Sequence, residues 1–308
     1  PAEIEREKDV VAQEIAEAFD TPDDHVFEMV QTRAFSGQSL GRPILGSVAS
    51  LAPVTRDSIA AWRTRLYSPD RMVIAVSGAV DEAEFIALAE RTFGAAVATA
   101  AEPPVAAEFI GGEARLSRRI EQANLVFQLP APGVRDPAYS AVRLMAEILG
   151  GGMASRLFQS AREERGLAYA IDAYHEPYEA EGVLGIYAGA AADRAEELAR
   201  VCAAEIRALA DDGPTPAELA RAKAVLNAGL WMADESPSGR AGRHAAQTLI
   251  FGAPIASQTM ADRVLARTTD DVRAVARALL VPGRTASAVL GPRAAARAGA
   301  VFRDALFG

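Results

Sequence analysis

Four side chains in this sequence stand where chemistry could be done. Glu7 and Glu14 lie seven residues apart in Glu3–Pro22, EIEREKDVVAQEIAEAFDTP. Arg162 and Tyr169, also seven apart, close the run Leu149–Tyr169, LGGGMASRLFQSAREERGLAY. At 100° per residue, Ile4, Val10, Val11, Ile15, Ala18 and Phe19 span one arc of a helix. Both glutamates fall inside that arc, two turns apart and offset by about 20°. Carboxylates on an apolar face are costly unless something positive meets them. A divalent metal would answer that cost, and so would a buried ion pair or a place at the rim of the face. Arg162 is expected in the last turn of a helix over Ala154–Arg165, with Gly166 as its cap and Tyr169 on the strand beyond. A chain reversal between them would bring a guanidinium and a phenol to one surface, a donor set suited to a peptide carbonyl or an oxyanion. Arginine near a helix C-terminus is also favourable on dipole grounds alone.

The helix bearing the glutamates has a look-alike 215 positions later. Glu3, Arg6, Lys8, Val10 and Pro22 recur as Glu218, Arg221, Lys223, Val225 and Pro237, while Glu7 and Glu14 fall opposite Ala222 and Gly229. Pro69–Gly78 (PDRMVIAVSG) likewise matches Pro282–Gly291 (PGRTASAVLG) at a lag of 213. Upstream of each match a Thr or Asp stands where it can cap a helix, in Val54–Asp57 and Thr268–Asp271. Two matches in the same order at nearly constant offset indicate a duplicated domain. The second copy has about a hundred residues before Glu218, beginning near Val105. The first has almost nothing before Glu3, so it is expected to lack its N-terminal half.

Composition narrows the function classes. With half of 308 residues apolar, the chain can fill two cores. A net charge of −9 argues against general affinity for nucleic acid or anionic membranes and leaves room for basic peptides. No apolar run reaches the roughly 18 residues that span a bilayer. Cys202 is the one cysteine, so an intrachain disulfide or a cysteine zinc cluster is excluded. His25, His175 and His244 are the three histidines, and no two have an i,i+4 spacing. Gly150–Gly152 could bend the chain or cradle phosphate, but neither GxGxxG nor GxxxxGK[ST] is present.

These residues must be positioned by a mixed set of elements. Helical periodicity fits 2–19, 23–34, 55–66 and 81–92, with a strand near 71–78. Residues 101–114 read as a linker between a first domain at 1–100 and a second at 115–308. Strands are expected near 115–121 and 123–129, a helix over Pro137–Leu149, and a strand pair over Leu167–His175 and Val183–Ala190. Helices at 193–211, 215–234, 239–251 and 269–280 and a strand at 285–290 complete the pattern. Strands grouped with long helices, without βαβ alternation, give an α+β fold with helices packed on a sheet.

Several runs resemble the pitrilysin-type (M16) zinc metallopeptidases, in particular those similar to mitochondrial processing peptidase. They are Glu5–Ile15, Leu40–Gly46 (LGRPILG), Leu149–Ile171, Glu218–Lys223 (ELARAK) and Asp234–Pro237 (DESP). The resemblance implies duplicated domains, each an antiparallel sheet packed with helices, closing as a clamshell around an extended peptide. It further implies a Zn2+ held by an HxxEH helix and a distal glutamate. Glu14 matches that ligand, Glu7 the supporting acidic residue, and Arg162 and Tyr169 the pair that holds the substrate backbone. HxxEH itself is missing. By the internal lag its helix would precede Pro1, so the site is expected to be completed by an N-terminal segment or by a partner M16 subunit, as a homo- or heterodimer.

The leading expectation is therefore a zinc endopeptidase acting on peptides, inactive as this chain alone. The alternative is a non-catalytic M16-like subunit that binds peptides or organises a complex. A phosphate-binding protein built on Gly150–Gly152 is a third reading. The expected location is the bacterial cytoplasm, or the periplasm if a signal peptide belonged to the absent N-terminus.

Overall fold

The computed structural model describes residues 2–99 and 104–308. The helices are α1 (Ala2–Asp20), α2 (Pro22–Ala34), α3 (Val48–Leu51), α4 (Arg56–Leu66), α5 (Glu82–Phe93) and α6 (Tyr139–Gly150). They continue with α7 (Ala195–Asp211), α8 (Pro216–Glu235), α9 (Pro237–Phe251), α10 (Ser257–Leu265), α11 (Thr269–Leu279) and α12 (Ala298–Phe307). The strands are β1 (Gly112–Ser117), β2 (Gln122–Pro132), β3 (Ala168–Pro177), β4 (Glu181–Ala191) and β5 (Ala286–Gly291). This is an α+β fold. Its residues cluster into two compact units that interleave along the chain. One gathers Pro1–Val10, Val48–Val105 and Asn227–Arg263, and the other Val11–Ser47, Ala106–Leu226 and Val264–Gly308. The expected linker runs through 101–103, which lie outside the described residues.

The second-named unit holds one five-stranded sheet in the order β1-β5-β2-β4-β3. β5 runs parallel to β1 and antiparallel to β2, and β4 is antiparallel to both β2 and β3. The central strand β2 shows how sequence becomes layer. Leu125, Phe127 and Leu129 point to a core shared with α6, α7, α11 and α12, while Val126 points to the opposite core under α2. Phe127 stacks on Phe302 of α12, with centroids 4.3 Å apart. Val26, Val30 and Ala34 of α2 are fully buried against this sheet. Thus α2, expected in a first domain at 1–100, covers the sheet built from residues 112–291.

Local chemistry sets several helix starts. Thr268 caps α11 with a reciprocal Asp271 bond, and Thr55 caps α4 with Ser58 in the same way. Thr215 and Glu218 form the corresponding box at the start of α8. α10 and α12 were not expected from the sequence. α12 reads AGAVFRDALF, too short and alanine-rich to show a polar face, and it is fixed by packing on the sheet. β1 begins at Gly112 and ends at Ser117, so the strand expected over 115–121 is displaced toward the linker by its pairing with β5.

The first-named unit gives the main correction. Residues 72–77 are extended but pair with no strand among the described residues. Met72, Ile74 and Val76 alternate on an exposed side, each about 40% accessible. A strand is a cooperative object, and without a neighbour its N–H and C=O groups form no ladder. Arg240 of α9 does reach this segment, donating Nε to Ser77 Oγ at 3.1 Å. Ile59, Trp62 and Leu66 of α4 are also exposed, whereas Val272, Val275 and Leu279, their counterparts 213 positions on, are buried.

Candidate functional site

Tyr169 and Arg162 both sit at irregularities of backbone in the unit that holds the sheet. Ala168 pairs with Ala190 and Ala170 with Gly189, so Tyr169 is the extra residue of a β-bulge. A bulge re-aims its side chain and bends the strand, and Tyr169 is accordingly 59% exposed. The helix expected over 154–165 is instead mostly a π-helical turn, Phe158–Glu163, and Arg162 lies within it. Its guanidinium lies 4.7 Å from the centroid of the Phe158 ring. The wider turn follows from how the segment is tied off. Leu167 N–H bonds the Ala161 carbonyl at 2.8 Å and Gly166 N–H the Arg162 carbonyl at 3.1 Å. Gly166 makes the reversal at φ +59°, where a side chain would strain the backbone. The chain reversal expected between guanidinium and phenol is therefore present, and both side chains are open to solvent.

The approach to this turn is held by α8. Arg156 forms a bidentate pair with Glu218, at 2.7 and 2.9 Å, and donates to the Gly213 carbonyl at 3.1 Å. Arg221 donates to the Ala154 carbonyl at 2.7 Å. The Arg156 bond, with Thr215 adding backbone and hydroxyl donors, holds the Glu218 carboxyl down to about 2. Glu218 and Arg221 of the ELARAK run thus fix the loop that carries Gly150–Gly152. That loop is a bend. A Cβ at Gly150 would collide with the backbone of Ala173 on β3.

β3 is an edge of the sheet. Among the described residues no strand pairs with its outer side, and such an edge is the template an extended peptide uses to add a strand. Along it, burial raises Asp172 above the usual carboxylate range and lowers His175 to about 4. His175 Nε2 lies 3.0 Å from the Pro132 carbonyl.

Glu7 and Glu14 are placed differently from the expectation. Both are exposed, no side chain of α1 is fully buried, and Val10 and Phe19 on the same arc are 46% and 48% exposed. The arc has no apolar layer against it, so the desolvation cost that argued for a cation does not arise here. Glu7 belongs to one compact unit and Glu14 to the other. Among the described residues, no group of three His, Cys, Asp or Glu side chains is arranged to hold a metal ion. Zinc ordinarily takes four donors. The donor set of the described residues therefore does not by itself make a zinc site.

Sequence reasoning missed a second cluster in the same unit. Gln31 donates its Nε2 to Tyr178 Oη at 2.9 Å and to the Leu40 carbonyl at 3.1 Å, joining α2, the LGRPILG loop and the end of β3. The LGRPILG run pointed to this loop, but nothing in the sequence pairs it with Tyr178.

Comparison with known proteins adds the family. A family profile described as "Peptidase M16 inactive domain" matches residues 53–226. An uncharacterized zinc protease of Mycobacterium tuberculosis is 34% identical over 301 residues, which is 96% of this chain and 68% of that protein. One from Bacillus subtilis is 34% identical over 254 residues, 81% of this chain and 61% of that protein. Among solved structures, a peptidase M16 inactive domain from Pseudomonas fluorescens superposes with a TM-score of 0.83 at 22% identity, over 95% of this chain and 71% of its own. A protease from Helicobacter pylori gives 0.85 at 20% identity, over 95% and 73%. A chain of complex III2 from Candida albicans gives 0.89 at 18%, over 98% and 74%. No helix among the described residues is long and apolar enough to cross a membrane. By sequence over nearly its whole length, and in agreement with its fold, this chain belongs to the M16 peptidase family.

Proposed function

We propose that this chain is the substrate-holding part of an M16 zinc endopeptidase similar to mitochondrial processing peptidase. The observation that carries the reading is the placement of Arg162 and Tyr169, on a π-helical turn and a β-bulge, beside an open sheet edge. Such irregularities cost stability and concentrate at functional sites. In this role β3 pairs with the peptide backbone, and Tyr169 and Arg162 donate to the carbonyl oxygen of the bond to be cut. Glu14 contributes one carboxylate to the metal and Glu7 supports it. The remaining donors come from polypeptide outside these 308 residues, either an N-terminal segment or a partner M16 subunit. The unpaired segment 72–77 supports this, since its counterpart β5 has a strand on each side.

The test is reconstitution. Adding a polypeptide that carries HxxEH, together with zinc, should give chelator-sensitive cleavage of a quenched peptide. Tyr169→Phe should then lower kcat by roughly 10²–10³, the usual loss for one oxyanion donor, with zinc content unchanged. Glu14→Ala should lose zinc by metal analysis, and full occupancy would remove Glu14 from the ligand set. The second reading, a peptide-binding subunit without catalysis, is favoured by the family profile's own description as inactive. Peptide binding with no cleavage under any reconstitution would establish it.

A further inference from the structure

Arg162 is exposed, yet among the described residues it pairs with no carboxylate, in a chain that carries 41 Asp and Glu. Sequence spacing explains this. On a helical turn, side chains three or four residues apart meet, and those one or two apart do not face each other. Glu163 and Glu164 follow Arg162 directly and are badly placed to pair with it. The positions that can reach it hold Phe158, Gln159, Arg165 and Gly166. Gln159 spends its Nε2 on the Met153 carbonyl at 2.6 Å. Arg165 carries a like charge, and Gly166 has no side chain. In a π-turn the residue five back also comes close, and that is Leu157, which is fully buried. The Phe158 ring remains, its centroid 4.7 Å from Arg162 Cζ.

The contrast with Arg156 shows what the ring does. Arg156 spends its N–H groups on Glu218 and the Gly213 carbonyl, and it serves as a strut. Cation–π attraction draws on the charge and the ring face and takes up no N–H donor. Arg162 is therefore held while its five donors stay unspent among the described residues. A carboxylate in place of the ring would hold the guanidinium too, but it would occupy the fork. A side chain held before its ligand arrives also loses less freedom on binding.

We propose that Phe158 is a positioning residue for Arg162: its ring holds the guanidinium in place and leaves the N–H fork free for a backbone carbonyl of the bound peptide. The inference rests on Arg162 acting as a substrate donor, as in the function proposed above. Phe158 opens the same π-turn that carries Arg162, so one piece of backbone fixes both ring and guanidinium. The turn then supplies a prepared donor on one side of the reversal at Gly166, and the β-bulge supplies Tyr169 on the other.

A double-mutant cycle tests this. Affinity for an acetylated, amidated decapeptide is measured by calorimetry on the intact chain, and kcat/KM for a quenched peptide on the reconstituted enzyme. Phe158→Leu keeps an apolar side chain and loses the ring, and it should weaken both by about two- to fivefold. Phe158→Tyr keeps the ring face and should restore both. In an Arg162→Ala background, Phe158→Leu should have no further effect. An equal loss in both backgrounds would overturn the proposal, because the ring would then act on the peptide or the fold directly. Wild-type values in Phe158→Leu, or no restoration by Phe158→Tyr, would overturn it as well. A readout that needs no peptide is the Arg162 Nε–Hε NMR signal, assigned by its loss in Arg162→Ala. It should lie upfield through the ring current and return to the range of the other exposed arginines in Phe158→Leu. An unshifted signal in the wild-type chain would count against the stack and overturn the role. Cleavage without coupling between Phe158 and Arg162 would remove the positioning role and leave the peptidase reading. Coupling in peptide affinity, with no cleavage under any reconstitution, would do the reverse. A peptide neither bound nor cleaved would remove both.

Discussion

At the scale of single residues, two groups with shifted protonation, Glu218 and His175, lie on elements that hold the candidate site. The Glu218 carboxylate is held by Arg156 and Thr215, with only 17% of its side chain exposed. Glu218→Ala should cost about 2 kcal/mol in urea unfolding, because it leaves a half-buried guanidinium unpaired. His175 gives a second test. Burial lowers its imidazole to about 4, against 6.5 in the unfolded chain. Between those values the unfolded chain takes up a proton that the folded one refuses. Stability from this group is therefore complete above about pH 6.5 and is lost as pH falls toward 4, by up to about 3 kcal/mol. His175→Gln should flatten the pH dependence of Tm in that window. An unchanged slope would mean that another group sets it. The residue types Arg162 and Tyr169 were readable as a donor pair in the sequence. The contact of Gln31 with Tyr178 was not, because it exists only once α2 lies against the end of β3.

The elements show why some local readings hold and others shift. The capping boxes at Thr55, Thr215 and Thr268 are decided within four residues, so they are legible in the chain. The strand pair of β3 and β4 is likewise marked by its alternation and its short connection. The turn at Phe158–Glu163 is different. A helical pattern there cannot announce a π-turn, which arises when Leu167 N–H bonds Ala161 and the strand beyond is pinned to β4. Gly166→Ala should cost about 1 kcal/mol, since φ +59° is strained for any residue with a Cβ. In the reconstituted enzyme, the same substitution should lower kcat by displacing Tyr169. A stability loss with full kcat would separate the turn from catalysis.

For the whole molecule, the two matching segments Pro69–Gly78 and Pro282–Gly291 have unequal surroundings. β5 is fully buried between β1 and β2, while residues 72–77 carry exposed Met72, Ile74 and Val76 and form no ladder among the described residues. Backbone amides at 72–77 should exchange with solvent within seconds in the isolated chain, and those of β5 should be protected for hours. Adding the polypeptide that completes the zinc site should protect 72–77. Continued fast exchange in a cleaving complex would mean that completion occurs elsewhere. The sequence by itself determined the α+β class and the family resemblance, because both are carried by residue identity and spacing. Only the tertiary structure decided that Glu7 and Glu14 are exposed, that α2 covers the five-stranded sheet, and that Gln31 of α2 bonds the Tyr178 hydroxyl. Burial is a relation between segments distant in the chain, and periodicity within one helix says which face is apolar without saying what lies against it.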